Sequence, residues 1–156
     1  MERGKLWRNA FGGNLKLLEL NLPGLTDDLA AVPPAAGVAA PAWVLGHLIH
    51  ARFGLMALLG APPQVDPIWK GTYARKTDGL GTHLPLSGLV EAFNATDGPL
   101  KAAFLAVEDW EKPTLNPGLR IEQPLEQVVS FLYMHECYHL GQFGIFRKLL
   151  GLPGAV

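Results

Sequence analysis

The segment between Pro124 and Pro153 constrains the fold of this chain more than any other. Pro124 suits a first helical turn, where a missing N–H costs nothing. Arg147 and Lys148 suit the negative end of a helix dipole, Gly151 suits a left-handed C-cap, and Pro153 blocks continuation. Three further segments read as its partners. The first runs from about Arg3 to Leu20, with Leu6, Ala10, Leu17 and Leu20 on one helical stripe; Gly12 and Gly13 each cost it about 1 kcal/mol relative to alanine. The second runs from about Ala40 to Leu59, with Pro41 in its first turn and Gly60, Pro62 and Pro63 beyond its end. The third covers about Ser87 to Val107. Leu86, Leu89, Phe93, Leu100, Phe104 and Val107 form its buried stripe, and Asp97-Gly98-Pro99 is expected to kink or break it. Runs of β-branched residues are few, so no strands are predicted. Four such helices predict an all-α four-helix bundle.

Thr26-Asp27-Asp28 reads as the start of a short helical turn, stopped by Pro33 and Pro34. A long Gly- and Pro-rich loop, Ala61 to Pro85, separates the second and third helices. Loops of that length inside a compact domain are usually functional or disordered. A second loop, Glu111 to Glu122, carries Pro113 and Pro117.

Composition narrows the function. The 156 residues suit one domain, 1–156, and 49% apolar residues suffice for one core. The net charge of −1 lacks the basic face that nucleic-acid binding requires. The one basic cluster, Lys70, Arg75 and Lys76, reads as a solvated loop face. The most apolar stretch, Val38 to Leu59, contains His47, His50 and Arg52 and makes a poor membrane span. Lys16 and Glu19 interrupt the apolar run near the N-terminus, which argues against a secretory signal. A single cysteine, Cys137, excludes an internal disulfide and suits the cytoplasm. It reads as a core residue, pointing away from the histidines of its helix.

Those histidines carry the chemistry. His135 and His139, four apart on a helix, share a face with Cβ atoms about 6 Å apart, so both imidazoles can reach one ion. Their stripe includes Phe131, Gln142 and Phe146, and Gln142 is placed to orient a ligand. The run matches H-E-x-x-H, yet no His, Asp, Glu or Cys follows His139, and Gln142 occupies a position where the extended zinc-protease motif needs glycine. Glu136 lies about 100° round the helix from His135 and is expected to face another helix or solvent. Any third ligand must therefore come from upstream. His47, beside Gly46 in the second helix, is the candidate; His50 lies one turn on. Three histidines with an open position form a catalytic type of site, suited to zinc, nickel, iron or copper.

The run His135-Glu136-Cys137-Tyr138-His139-Leu140-Gly141-Gln142, with Arg147, Leu150 and Gly151, resembles the last-helix signature of the DinB-like (DinB/YfiT) metal-binding four-helix bundles. Trp43, Gly46, His47 and Leu48 resemble their second-helix signature, and Leu25-Thr26-Asp27-Asp28-Leu29 their segment after helix one. The resemblance covers nearly the whole chain and is weakest between Ala61 and Leu84. It implies an up-down-down-up bundle, a divalent metal (zinc or nickel foremost) on His47, His135 and His139, and often a homodimer. It also implies a small-molecule substrate, with either a low-molecular-weight thiol in an S-transferase or isomerase reaction or metal-dependent hydrolysis. A non-catalytic, stress-associated metal-binding dimer is the competing expectation. An enzyme should have its site lined by loop residues such as Trp69, Tyr73 or His83. His50 is not a regular ligand of the family, and its role stays open between packing, ligand support and proton transfer.

Overall fold

The computed structural model describes residues 2–75, 77 and 84–155. Its long helices are α1 (Glu2–Asn21), α3 (Pro41–Leu58) and α7 (Leu125–Leu149), with a fourth rod made of α5 (Leu86–Ala95) and α6 (Asp97–Ala106). Two short helices, α2 (Asp27–Ala31) and α4 (Ile68–Tyr73), lie in the connections. Thr26 caps α2, its hydroxyl accepting from the Leu29 N–H. Thr96 joins α5 to α6 at the break expected before Pro99.

Two apolar layers fix the topology. In one layer Leu45, Leu48 and Ile49 of α3 meet Leu89 and Phe93 of α5, Phe143 and Phe146 of α7, and Leu18 of α1. In the other Leu55, Met56 and Leu59 meet Leu100 and Phe104 of α6, Val128 and Leu132 of α7, and Phe11 of α1. The first half of α3 thus packs on the first rod segment and its second half on the second, so these two helices run parallel. Against them α1 and α7 run antiparallel, which gives the up-down-down-up four-helix bundle. Parallel consecutive helices need a connection that returns along the bundle. An 18-residue helix rises about 27 Å, which is the physical reason for the long stretch between α3 and α5.

The structure corrects the sequence reading of the helices and loops in three places. The α1 stripe of Leu6, Leu17 and Leu20 is exposed; Gly4, Phe11, Asn14 and Leu18 face inward. Gly4 sits so close to the Phe104 carbonyl that a Cβ would collide with it, and Asn14 is buried for its hydrogen bonds, so apolar periodicity alone selects the wrong face. The loop before α5 contains a helix, α4. Two short strands, β1 (Pro113–Leu115) and β2 (Glu122–Pro124), pair antiparallel with Thr114 opposite Gln123. Turn chemistry supports this hairpin: the buried Asn116 side-chain oxygen accepts from the N–H groups of Gly118 (2.9 Å) and Leu119 (3.0 Å), and Arg120 adopts φ 62°.

Arg147 does more than answer a helix dipole. It is buried, and its guanidinium donates to the carbonyls of Asn21 (2.9 Å), Pro23 (2.5 Å) and Pro153 (2.8 Å), tying the end of α1 to the C-terminal segment. Gly151 takes φ 72°, as a C-cap glycine does.

Candidate metal centre

Antiparallel packing of α3 against α7 brings His47, His135 and His139 together. One ring nitrogen from each lies within 4.8 Å of the others. The Nε2 atoms of His47 and His135 are 3.1 Å apart. Ligand bonds of about 2.0–2.1 Å to a tetrahedral ion put neighbouring nitrogens about 3.3 Å apart, so this spacing fits a shared cation. His47 is buried, whereas His135 and His139 are half-buried, leaving one side of the cluster toward solvent.

Each ring is held by what it touches. The Nδ1–H of His47 donates to the carbonyl of Tyr73 at 2.9 Å, and that of His139 to Oε1 of Gln142 at 2.8 Å. A carbonyl only accepts, so in both rings the proton belongs on Nδ1 and Nε2 keeps its lone pair. Gln142 therefore has the orienting place expected of it. Burial pushes all three histidines toward the neutral form. His135 falls to about 4, through burial first and then the neighbouring His139, His47 and Arg75. His47 and His139 are also lowered, again chiefly by burial. Three imidazoles biased to the neutral form, with a nitrogen from each within 4.8 Å of the others, can share one cation.

Gly46 has a visible purpose. A Cβ there would overlap the Tyr73 ring, so glycine admits α4 close enough for the Tyr73 carbonyl to reach His47. Trp43 stacks on His47, centroids 5.1 Å apart and planes 5° from parallel, and its indole N–H donates to the Thr72 carbonyl (3.0 Å) and the Thr77 hydroxyl (2.9 Å). Trp69 packs on Phe53 and Tyr73. The long connection thus reaches the cluster through the Tyr73 carbonyl. Tyr73, however, is fully buried and supports a ligand through its backbone; it is no exposed pocket wall. His83 and Lys76 lie outside the described residues. Lys70 and Arg75 are exposed.

His50 is not among the three clustered histidines. It is half-buried, and its pKa is lowered by burial and then by Lys70. Glu136 turns away from the site, as expected, into a buried network that sequence reasoning missed. Arg52 donates from Nε to Glu136 Oε2 (2.8 Å) and from Nη2 to Oε1 (2.6 Å); Asn14 donates to Oε1 (2.9 Å). Arg52 also donates to the Thr96 hydroxyl (2.9 Å) and lies 3.7 Å over the Phe93 ring. A glutamate so engaged is no protease base. An arginine in an apolar helix was the available signal, since such a charge stays buried only when paired. Cys137 is half-buried, and not the fully buried core residue expected: its thiol donates to Asn14 Oδ1 at 3.5 Å.

The DinB superfamily profile matches residues 15–143. Among solved structures, YfiT from Bacillus subtilis superposes with a TM-score of 0.71 at 15% identity, covering 98% of this chain and 90% of that one. It is described as "a probable metal-dependent hydrolase with an unusual four-helix bundle topology". No curated protein matches the sequence.

Proposed function

The chain belongs to the DinB superfamily, and from that membership we propose that it is a metal-dependent enzyme acting on small molecules, with a divalent ion, zinc or nickel, held by His47, His135 and His139. The observation that carries this reading is the convergence of three imidazole nitrogens within 4.8 Å on a half-open face. When bound, such an ion supplies Lewis acidity and lowers the pKa of a thiol or water beside it.

The chain's own residues prepare that chemistry. Tyr73 and Gln142 fix the tautomers of His47 and His139, so no proton has to leave Nε2 before a ligand bond forms. The three rings add no negative charge, so the charge of an ion is not diminished. Burial of His47 against Trp43 keeps water from one side and leaves the approach on the side of His135 and His139. Glu136 is committed to Arg52 and turned away from the site. We place the reaction in the cytoplasm, in keeping with the unpaired Cys137.

A low-molecular-weight thiol as nucleophile, in an S-transferase or isomerase reaction, is supported by the sequence resemblance. Hydrolysis is supported by the description of the Bacillus subtilis neighbour. The experiment that separates them starts with metal analysis of natively purified protein. Cobalt-loaded protein is then titrated with cysteine-type and sugar-linked thiols, and electrophiles are screened with and without thiol. A charge-transfer band with thiol-dependent turnover supports the transferase. Turnover in water alone supports the hydrolase. Metal binding with neither refutes the enzymatic reading.

We further propose that the chain forms a homodimer. Met134, Tyr138 and Ile145 are 57–67% exposed on one face of α7, beside a groove of about 360 Å³ that includes Leu17, Leu20 and Gly141. An apolar strip of this kind suits a twofold contact, in which each copy uses the same patch. A monomer in sedimentation at micromolar concentration would argue against it.

A further inference from the structure

Two of the three clustered histidines have an outer hydrogen-bond partner for Nδ1; His135 does not. Its Nδ1 is buried and has no partner among the described residues. With Nε2 committed to the cluster, 3.1 Å from His47 Nε2, Nδ1 is the ring nitrogen left facing the interior, and a buried polar nitrogen without a partner is costly. Beside His135 lies a small cavity of about 10 Å³, lined by Phe11, Ala51, Arg52, Leu55, Leu132 and Glu136. That is close to the space one water centre needs. The cavity is polar where it meets Arg52 and Glu136. Glu136 accepts three hydrogen bonds, from Asn14 and twice from Arg52. A carboxylate has about four acceptor positions, so Oε2 retains one.

We propose that a single internal water in this cavity bridges His135 Nδ1 and the Glu136 carboxylate, donating to Nδ1 in the metal-free ring and accepting from Nδ1–H once Nε2 serves an ion, which makes the buried Arg52–Glu136 pair a positioning device for the third histidine. With an ion on the cluster, the arrangement gives each ring an oxygen acceptor: a backbone carbonyl for His47, a side-chain amide for His139, and a water anchored by an ion pair for His135. Glu136 is thus a positioning residue that acts through a water, on the face of the ring away from the other two histidines. The inference rests on the three-histidine metal reading for its consequence, while the water itself is observable without metal.

The first test is a crystal structure at a resolution that shows ordered waters. A water within hydrogen-bond distance of both His135 Nδ1 and Glu136 is expected. A dry cavity, or Nδ1 bonded to a backbone carbonyl, overturns the proposal. The second test measures zinc affinity of the full chain by competition with a chelator. Ala51→Val fills the cavity without touching the ion pair and is expected to weaken zinc binding about 10- to 100-fold, the usual effect of losing an outer partner. Ala51→Ser, whose hydroxyl replaces the water, should bind within about threefold of wild type, a factor inside ordinary context variation. Unchanged affinity in a folded Ala51→Val variant overturns the positioning role. Should that variant not fold, the crystal structure alone decides. Wild-type protein that binds no zinc, nickel or cobalt while showing the water refutes the metal reading and the positioning role together, and is distinguishable from a dry cavity in a protein that binds metal well.

Discussion

Replacing Glu136 with alanine should be among the most destabilising single changes in this protein. The Arg52 and Glu136 side chains are 1% and 4% exposed. Removing the carboxylate takes the partners of Arg52 Nε and Nη2 and leaves the guanidinium with the Thr96 hydroxyl, the Phe93 ring and a 3.5 Å approach to the Phe11 carbonyl. Stranding one member of a buried pair costs about 3–5 kcal/mol. Asn14 loses its acceptor as well, adding about 1 kcal/mol. The sum, roughly 4–6 kcal/mol, is a large part of the 5–15 kcal/mol that holds a domain together. It corresponds to a fall in Tm of roughly 10–20 °C for a chain of this size. Urea unfolding followed by helical circular dichroism measures it directly. The Arg52→Met/Glu136→Leu double variant strands no charge and should lose less than Glu136→Ala alone. A loss below about 1 kcal/mol for Glu136→Ala would show that the pair behaves like a solvated surface salt bridge and would refute the reasoning.

Alanine at His47, His135 or His139 should each sharply reduce bound metal, whereas His50→Ala should reduce it little; metal analysis after gel filtration checks this, and the reverse pattern for His47 and His50 would refute the ligand set. Chelation should leave helicity largely intact, because two apolar layers hold the bundle, in contrast to a zinc finger; collapse of the circular-dichroism signal would contradict it. Folding lowers the His135 pKa from 6.5 to about 4. The unfolded chain therefore binds the extra proton first, and the metal-free protein should lose stability as pH falls from about 6.5 to about 4, with no contribution from this group above that window; denaturation midpoints across pH test the sign. Gly46→Ala drives a Cβ into the Tyr73 ring and should cost about 1–3 kcal/mol together with about tenfold in metal affinity through the lost His47 anchor. An unchanged affinity would show that the Tyr73 carbonyl is dispensable.

The sequence by itself determined the long helices and the identity of the clustered histidines. Helix caps are local: Pro124 and Gly151 bound α7 with no help from the rest of the fold, and a four-residue spacing puts His135 and His139 on one face wherever the helix lies. Turn chemistry was equally local but weaker in signal, so the hairpin around Asn116 and the helix α4 were passed over, and the inward face of α1 was misread because Gly4 and Asn14 are chosen by their neighbours. Only the tertiary structure decided what depends on distance between elements. The parallel pairing of α3 with the α5–α6 rod, the 3.1 Å approach of His47 to His135 across two helices, the Tyr73 carbonyl behind His47 and the burial of Arg52 on Glu136 join residues far apart in the chain. No periodicity records such pairings, since each exists only once packing has brought the two faces into contact.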